Sequence, residues 1–271
     1  MPKLYYTKAS HMIGTLFQPF RSYKFLLAQL TLREIRARYK QSILGYVWVI
    51  FNPFIQLLVY TFVFSLIIRF PTNDIPYPLF LAAALLPWNL FQTTILASAQ
   101  SLVENASLLR KVAFPREVIP YSVVIAKLVD FFAAFSVFLV FYLIFGQRLS
   151  LHILWLVPIL GIQIIFTSAL ALILSALNLF YRDIQYLANL VVMMLMYLSP
   201  VVYSVDLVPD KYRWLYQLNP LVGIFQGVRA AIFSLDFNVP LLLYSACFSI
   251  TLFFLAFALF KKLERQFADT V

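Results

Sequence analysis

Charged side chains are scarce in this sequence, and that scarcity decides the class of protein. They make up 12% of the 271 residues, against 63% hydrophobic residues, and the mean hydropathy is +0.87. Soluble domains carry about 25% charged and about 45–50% apolar residues. Because so few ionic groups cannot cover a soluble protein of this length, we predict an integral membrane protein whose outer surface faces lipid.

Residues that build reactive or metal-binding sites are equally rare. Cys247 is the single cysteine, which excludes an intrachain disulfide. The two histidines, His11 and His152, lack cysteine or carboxylate neighbours at ligand spacing, so no metal site is expected. None of the six glycines belongs to a G-x-x-x-x-G-K-[ST] loop that would cradle a nucleotide. Since no nucleophile set is visible either, we predict neither enzyme activity nor a cofactor in this chain.

Hydrophobic runs, by contrast, are long and frequent. A spanning helix needs about 20 mainly apolar residues, because the hydrocarbon layer is about 30 Å thick. Six runs qualify, and they are apolar all round without the alternation of barrel strands. They are residues 43–68, 78–103, 119–145, 151–177, 186–203 and 240–260. The sequence therefore predicts a single all-α transmembrane domain over residues 1–271, with six transmembrane helices.

The positions of the basic residues predict the orientation. Of 21 lysines and arginines, fifteen fall in segments on one side of these spans and five on the other. Cytoplasmic segments of membrane proteins are enriched in lysine and arginine, so both termini are predicted to lie in the cytoplasm. The same bias accounts for the net charge of +10, and no nucleic acid partner is expected.

Two further segments are predicted to be helical without spanning the membrane. In residues 22–41, apolar side chains recur every three or four positions beside a row of cations, as in an amphipathic helix at the membrane interface; a solvated extension of the first span is the alternative. Between spans five and six, Asn219 can cap a helix that starts at Pro220 and ends near residue 233. We interpret it as a re-entrant helix on the external side, preceded by a polar helical stretch at 209–218; a surface loop helix is the alternative.

Polar and aromatic residues inside the spans are candidates for function. Lys127 and Asp130 lie three residues apart in the third span, which favours an intramembrane ion pair over a proton relay. Aromatic residues make up 18% of the chain, and several lie beside Asn52, Asn89 or Gln92. They belong either to interfacial belts or to a pore wall whose rings stack on sugars, and composition does not choose between these. The channel candidates are Tyr39, Tyr46, Trp48, Phe51, Trp88 and Phe91.

The start of the first span resembles a known family. Residues 30–54 read LTLREIRARYKQSILGYVWVIFNPF and are similar to the permease subunit of type 2 ATP-binding cassette exporters, in particular the polysaccharide and teichoic acid branch. The residues that match its basic helix, R-Y turn, L-G-x-x-W motif and first-span proline are Arg38, Tyr39, Leu44, Gly45, Trp48 and Pro53. Three more stretches agree: NASLLRKVAFPREVIP from Asn105, NLFYRDIQY from Asn178 and LNPLVGIFQGVRAAIF from Leu218. The resemblance covers nearly the whole chain.

This resemblance implies two six-span permease chains with two separate cytoplasmic ATPase subunits, which bind ATP and Mg. Residues 104–117 then correspond to the coupling helix that docks in the ATPase; a basic cytoplasmic turn without a docking role is the alternative. Leu108, Leu109 and Phe114 are the predicted apolar anchors. Arg182 and Asp183 either touch the ATPase or form a structural contact with each other. The full predicted coupling set is Leu108, Leu109, Arg110, Lys111, Phe114, Pro115, Arg116, Arg182 and Asp183.

The resemblance also places residues 209–233 at an external gate and residues 22–41 beside the point where substrate arrives. The implied gate residues are Asn219, Pro220, Phe225 and Arg229. The cations that would attract either the diphosphate of a lipid-linked glycan or bulk anionic lipid are Arg33, Arg36, Arg38 and Lys40.

The predicted function is therefore that of a channel-forming subunit in an ATP-driven exporter. It would move undecaprenyl-diphosphate-linked polysaccharide across a bacterial inner membrane, with O antigen as the favoured cargo. Capsular polysaccharide, wall teichoic acid or a small hydrophobic drug are alternative cargoes of the same machine. An ion-coupled secondary carrier and a passive membrane scaffold are alternatives from other classes.

Overall fold

The computed structural model describes residues 18–39, 45–68 and 75–267, and within these ranges its regular structure is helical, without a β-strand. The α-helices are α1 (Gln18–Arg21), α2 (Lys24–Tyr39), α3 (Trp48–Thr61), α4 (Tyr77–Glu104), α5 (Ala106–Lys111), α6 (Val118–Ile144), α7 (Leu156–Phe180), α8 (Ile184–Tyr197), α9 (Asp210–Gln217), α10 (Pro220–Phe233) and α11 (Val239–Leu263). A π-helix, Phe62–Ile67, extends α3. The all-α prediction is confirmed for the described ranges.

Five helical stretches are long and apolar enough to cross a membrane. They are Gly45–Ser65, Tyr77–Glu104, Val118–Ile144, Leu151–Phe180 and Val239–Gln266. The fifth predicted span, 186–203, corresponds to α8, which has 14 residues and ends at Tyr197. Pro200 gives the reason, because proline lacks a backbone N–H and restricts the residue before it to non-helical conformations. The described residues thus contain five candidate spans in place of the six predicted, and α8 is shorter than its apolar run.

The helix α4 is the centre of the bundle. It packs against α6 and α7, with α3, α8 and α10 also in contact, and α11 packs on the far side of α7. Phe91 of α4 stacks on Phe166 of α7, with ring centroids 5.8 Å apart. Gln163 of α7 donates a hydrogen bond of 2.6 Å to the Pro87 carbonyl of α4. Helices in lipid associate through close packing and interhelical hydrogen bonds, and this pair uses both.

The helix α10 confirms the bounds and the cap predicted for it. Asn219 Oδ1 accepts the backbone N–H of Leu221 at 3.0 Å, and Pro220 is the first helical residue. Twelve of its 14 residues are buried, because α4, α7 and α11 surround it. Protein rather than lipid therefore covers most of its apolar side chains. The polar stretch before it is α9, as predicted.

The helices α10 and α11 approach each other closely at Gly223. A Cβ at this position would lie 2.8 Å from the carbonyl oxygen of Leu241. Nearby, Ser245 Oγ donates to the Pro220 carbonyl at 2.9 Å. Small residues at helix crossings allow backbones to approach in this way in membrane proteins. Because Gly223 has no side chain, the backbones of α10 and α11 can come this close to each other.

The helix α2 lies in the segment predicted to be an interface helix, and its position at a membrane interface stays a prediction. Leu27, Leu30 and Thr31 are buried, and α2 packs against α6. Phe25 and Leu32, which belong to the apolar stripe read from the periodicity, are 75% and 41% exposed. The helix has apolar residues on two sides, and the predicted stripe is the side that faces outward.

A second core cluster closes one end of the bundle. It joins α2, the α4–α6 connection and the ends of α7 and α11, and we call this end, which carries residues 105–117, the loop end. Its buried members are Leu27, Leu30, Leu102, Leu109, Phe114, Val118, Ile119, Tyr121, Leu172, Ala176, Phe257, Phe260 and Phe267. The opposite end carries residues 198–219, and we call it the gate end.

Candidate functional site

The predicted coupling segment lies at the loop end as the short helix α5 and a non-helical exit. Leu109 and Phe114 are 2% and 6% exposed, and Leu108 packs against the same cluster. The chain's own core already buries both side chains, and their anchoring in an ATPase cleft stays a prediction. The exposed residues of α5 and its exit are Ser107, Arg110, Lys111, Val112 and Ala113, and Glu104 is exposed at the end of α4. The side chains that α5 itself offers to a partner are therefore mainly basic.

An ionic cluster that sequence reasoning missed lies at the exit of this segment. Glu117 is fully buried, and its Oε2 accepts from Lys261 Nζ at 2.7 Å. The same ammonium lies 3.0 Å from Glu264 Oε2. Glu264 Oε1 in turn accepts the backbone N–H of Arg116 at 3.0 Å, and the Arg116 guanidinium lies 3.9 Å from that oxygen. We call these four residues the exit cluster.

Only part of the exit cluster has a sequence signal. Lys261 and Glu264 are three residues apart at the end of a helix, a spacing that pairs opposite charges. Glu117, in contrast, is 144 residues from Lys261, and no periodicity links the two. The predicted coupling residue Arg116 belongs to the cluster, so the prediction selected a neighbour of the buried carboxylate and not the carboxylate itself.

The surroundings of Glu117 oppose its charge. Burial raises the pKa of this carboxyl above its usual value, the Lys261 ammonium acts against that rise, and the Glu264 carboxylate adds to it. Among the described residues, Glu117 Oε1 and Arg116 Nε have no hydrogen-bond partner. The exit cluster thus has one fully buried carboxylate, while the side chains of Arg116, Lys261 and Glu264 are partly exposed.

Arg33 joins α2 to the start of the coupling segment. Its Nη2 donates to Oδ1 of Asn105, the residue that precedes α5, and Asn105 Nδ2 donates to the Ser101 carbonyl at 2.7 Å. One branch of the Arg33 fork is therefore engaged with protein, while Arg36 is exposed. Three predicted side chains lie outside the described residues: Arg38, Tyr39 and Lys40.

Three of the predicted channel aromatics lie on an open surface. Tyr46, Trp48 and Phe51 are 57%, 43% and 43% exposed. They belong to Gly45–Ser65, the candidate span whose apolar window has none of its residues buried. A helix that leaves large rings uncovered on this scale presents them to lipid, to substrate or to another chain.

Trp88 and Phe91 lie in the core instead. Each is 1% exposed, and Trp88 Nε1 donates to Gln92 Oε1 at 2.7 Å. Trp88 also meets Phe225 of α10 edge to face, with centroids 6.4 Å apart. Rings from α7 and α10 cover Trp88 and Phe91 in this chain, and their role in a channel wall stays a prediction. Phe225, a predicted gate residue, is likewise fully buried.

A polar cleft of about 260 Å³ opens between α3, α4 and α6. Its polar lining consists of Asn52, Gln56, Asn89, Gln92, Thr93, Lys127 and Asp130. Asn89 Nδ2 donates to Gln56 Oε1 at 3.0 Å and so links α4 to α3. Polar side chains within a span are costly unless they meet protein partners or a water-filled cavity. Lys127 and Asp130 both border this cleft; their mutual ion pair stays a prediction.

An apolar groove of about 510 Å³ adjoins the cleft along the same three helices. Pro53, Leu86 and Ala134 line both spaces. The groove continues toward the gate end, where Phe62 and Phe145 border it. The two spaces are therefore neighbours, and we call them together the depression, with a polar half and an apolar half.

Arg229 is a buried cation at the gate end. It is 5% exposed and donates to the carbonyls of Phe80 at 3.3 Å, Pro200 at 2.7 Å, Val201 at 2.7 Å and Tyr203 at 3.3 Å. Its guanidinium carbon also lies 3.6 Å from the centroid of the Phe80 ring. This side chain ties α10 to the turn that follows α8 and to α4. The predicted gate residue Arg229 is therefore buried and links α10 to its neighbours by hydrogen bonds.

The turn between α7 and α8 presents the other predicted cytoplasmic residues. Arg182 and Asp183 are exposed, and the backbone N–H of Gln185 donates to Asn178 Oδ1 at 3.0 Å, which orders the turn. The structure thus places Arg182 and Asp183 on the surface near the end of α7. Whether they touch a partner or each other stays a prediction.

Known proteins of matching length are similar to this chain. The O-antigen export system permease protein RfbA of Klebsiella pneumoniae is 35% identical over 265 residues, which is 97% of this chain and 98% of that protein. The protein of the same name from Myxococcus xanthus is 32% identical over 92% of this chain and 96% of its own length. The polysialic acid transport protein KpsM of Escherichia coli is 27% identical over 90% and 96%.

A family match covers most of the bundle described above. It extends from α2, through the coupling segment and the turn after α7, to the end of α10. Because residues 26–233 match the family described as ABC-2 type transporter, this chain belongs to the ABC-2 type transporter family.

Proposed function

We propose that this chain is the membrane-spanning permease subunit of an ATP-driven exporter of lipid-linked polysaccharide, with O antigen as the cargo. One observation carries the proposal: proteins named O-antigen export permeases are 32% to 35% identical to it over nearly its whole length. A capsular polysaccharide is the second candidate cargo, which the identity to a polysialic acid transport protein favours. The chain has no nucleotide loop, so a separate cytoplasmic ATPase binds ATP and Mg and supplies the energy.

The ATPase docks at the loop end, where α5 offers an exposed basic face. Arg110 and Lys111 provide the charge, and Val112, which is 48% exposed, provides the apolar contact. Arg182 and Asp183 form a second exposed point near the same end. A partner surface with acidic groups around a shallow apolar pocket matches this face, since opposite potentials attract across an interface.

A second copy of this chain completes the channel. The exposed apolar faces of α3 and α8 support this, because both helices leave large side chains uncovered. Examples are Trp48 and Phe51 on α3 and Met193 and Tyr197 on α8, the last two 60% and 63% exposed. In the proposed dimer α8 is the sixth crossing of each chain, both termini lie in the cytoplasm, and the gate end faces outward. The glycan passes between the two copies, along the rings of α3.

The lipid carrier approaches from the cytoplasmic side beside α2. Arg36 is exposed on α2 and offers a guanidinium fork to a diphosphate. Arg38 and Lys40 stay sequence predictions for the same role. Arg33 contributes less directly, because one branch of its fork holds Asn105. Attraction of bulk anionic lipid by the same cations is the competing explanation.

The depression between α3, α4 and α6 suits a molecule with a polar head and a long apolar chain. Sugar hydroxyls match the amides of Asn52, Gln56 and Asn89 in the polar half, and an isoprenoid chain matches the apolar half. Lys127 and Asp130 border the polar half and give it charged walls.

Deletion of the gene in its source bacterium tests the proposal. We expect long O-antigen bands to disappear from lipopolysaccharide gels, lipid-linked glycan to accumulate inside the cell, and a plasmid copy to restore export. Loss of capsule with normal O antigen would favour the second candidate cargo. If all surface glycans remained normal, the proposed function would be wrong.

A further inference from the structure

The exit cluster connects two parts of the chain that the proposed function requires to move together. Arg116 and Glu117 are the last residues of the coupling segment, directly before α6, whereas Lys261 and Glu264 lie at the end of the last candidate span. A single ammonium bridges both carboxylates, and Glu264 also holds the backbone of Arg116. The end of α11 is therefore bonded directly to the point where the coupling segment becomes α6.

Burial makes this connection stiff. Glu117 is fully buried, with Phe257 and Phe260 in the core cluster of this end. A carboxylate in such surroundings is tolerated only while its cation stays close, because separating a buried ion pair leaves an uncompensated charge. A displacement of the coupling segment relative to α11 would break that pair. The two therefore move as one unit, while surface ion pairs would let them slide.

The start of the segment is held differently. Asn105 is bonded to Arg33 of α2, so polar side chains tie the segment to α2 at its start and to α11 at its exit. Its exposed middle, Arg110 and Lys111, is the part that a docking partner can reach. A force applied to the middle is thus divided between α2 and α11.

From these contacts we infer that Glu117 and Lys261 are positioning residues for transport, which transmit movement of the coupling segment to α11. The inference rests on the proposed function, since it needs an ATPase that moves the segment. It assigns to the end of the last span a role in coupling that neither the family match nor the relatives' names contain. Glu264 and Arg116 support this connection by holding Lys261 and the segment's backbone.

The test uses the full chain, assembled with its ATPase in the source bacterium. Glu117→Gln keeps the shape of the side chain and removes its charge, and Lys261→Met removes the ammonium. Lys261→Arg keeps a cation, and Lys262→Met alters the exposed neighbour as the matched control. Three quantities are measured for each variant: the amount of complex recovered from membranes, its ATP hydrolysis rate, and the glycan delivered to the cell surface.

We expect Glu117→Gln and Lys261→Met to assemble and hydrolyse ATP close to wild type, while glycan delivered per ATP falls about tenfold, as a lost coupling between two sites would give. Lys261→Arg should retain most delivery, and Lys262→Met should match wild type. Unchanged delivery per ATP in both variants would overturn the inference, and so would a parallel loss of complex, hydrolysis and delivery, which indicates structural support alone. A wild-type complex that delivers no glycan would instead overturn the proposed function.

Discussion

Replacement of Arg229 tests whether a buried guanidinium holds the gate end together. Arg229→Met roughly keeps the length of the side chain and removes all of its donors. Its bonds to the carbonyls of Phe80, Pro200 and Val201 are buried, and each carbonyl left without a partner costs about 1–3 kcal/mol, or about 3–9 kcal/mol for the three. Removing a buried charge and relaxing the turn offset part of this. We expect a net destabilisation of about 3–5 kcal/mol.

Thermal unfolding of the purified chain in detergent measures this effect. A loss of 1 kcal/mol lowers the midpoint by about 2–4 °C for a chain of this size, so we expect a drop of about 6–20 °C. Arg213→Met is the control, because Arg213 pairs with Asp210 at 2.9 Å on the surface, with side chains 40% and 89% exposed. Such pairs contribute about 0–1 kcal/mol. If the two variants unfolded within about 2 °C of each other, the proposed role of the four carbonyl bonds would be refuted.

Three further outcomes follow from the packing and the exposed surface. Gly223→Ala places a methyl group against the α11 backbone and should destabilise the chain by about 1–3 kcal/mol, while Gly161→Ala, which has no atom within 4 Å, should not lower the unfolding midpoint. Asn219→Ala removes the α10 cap and should cost about 1–2 kcal/mol, measured in the same melts, with a neutral result excluding the cap as a stabilising contact. Arg110→Glu combined with Lys111→Glu should abolish co-purification of the ATPase at an unchanged midpoint, and retained ATPase would contradict docking on α5.

Elements with a strong local signal could be predicted from the sequence. The α10 helix is one, because a capping asparagine and a proline at the first helical position mark its start. The long apolar runs predicted five of the helices for the same reason, as a span is defined by length and hydropathy. The helix α8 shows the limit of prediction from hydropathy. The apolar run continues through Leu198 and Val202, whereas the helix ends at Tyr197, before Pro200.

The sequence did not predict which residues are buried where burial depends on the packing of distant helices. Trp88 and Trp48 have similar sequence surroundings, yet one is 1% and the other 43% exposed, because α7 and α10 pack over α4 and no described helix covers α3 to that extent. Leu109 follows the same principle, because an apolar residue in the segment between two spans can face its own core as readily as a partner. The positions of Glu117 and Arg229 depend on contacts with residues more than 20 positions away in the sequence. Phe80, for example, is 149 residues from Arg229. Local patterns do not contain that information.

The 14-residue length of α8 has a consequence for the lipid around the protein. At about 1.5 Å per residue the helix is about 21 Å long, and the hydrocarbon layer of a typical bilayer is about 30 Å thick. Where α8 borders lipid in place of another chain, the bilayer must thin locally or the non-helical turn after Tyr197 must sink below the headgroups, and either deformation has an energetic cost that grows with the mismatch. Longer acyl chains in the host membrane make the bilayer thicker and so favour contact of α8 with any protein surface that can shield it. The acyl-chain length therefore influences how readily this subunit stays unassembled.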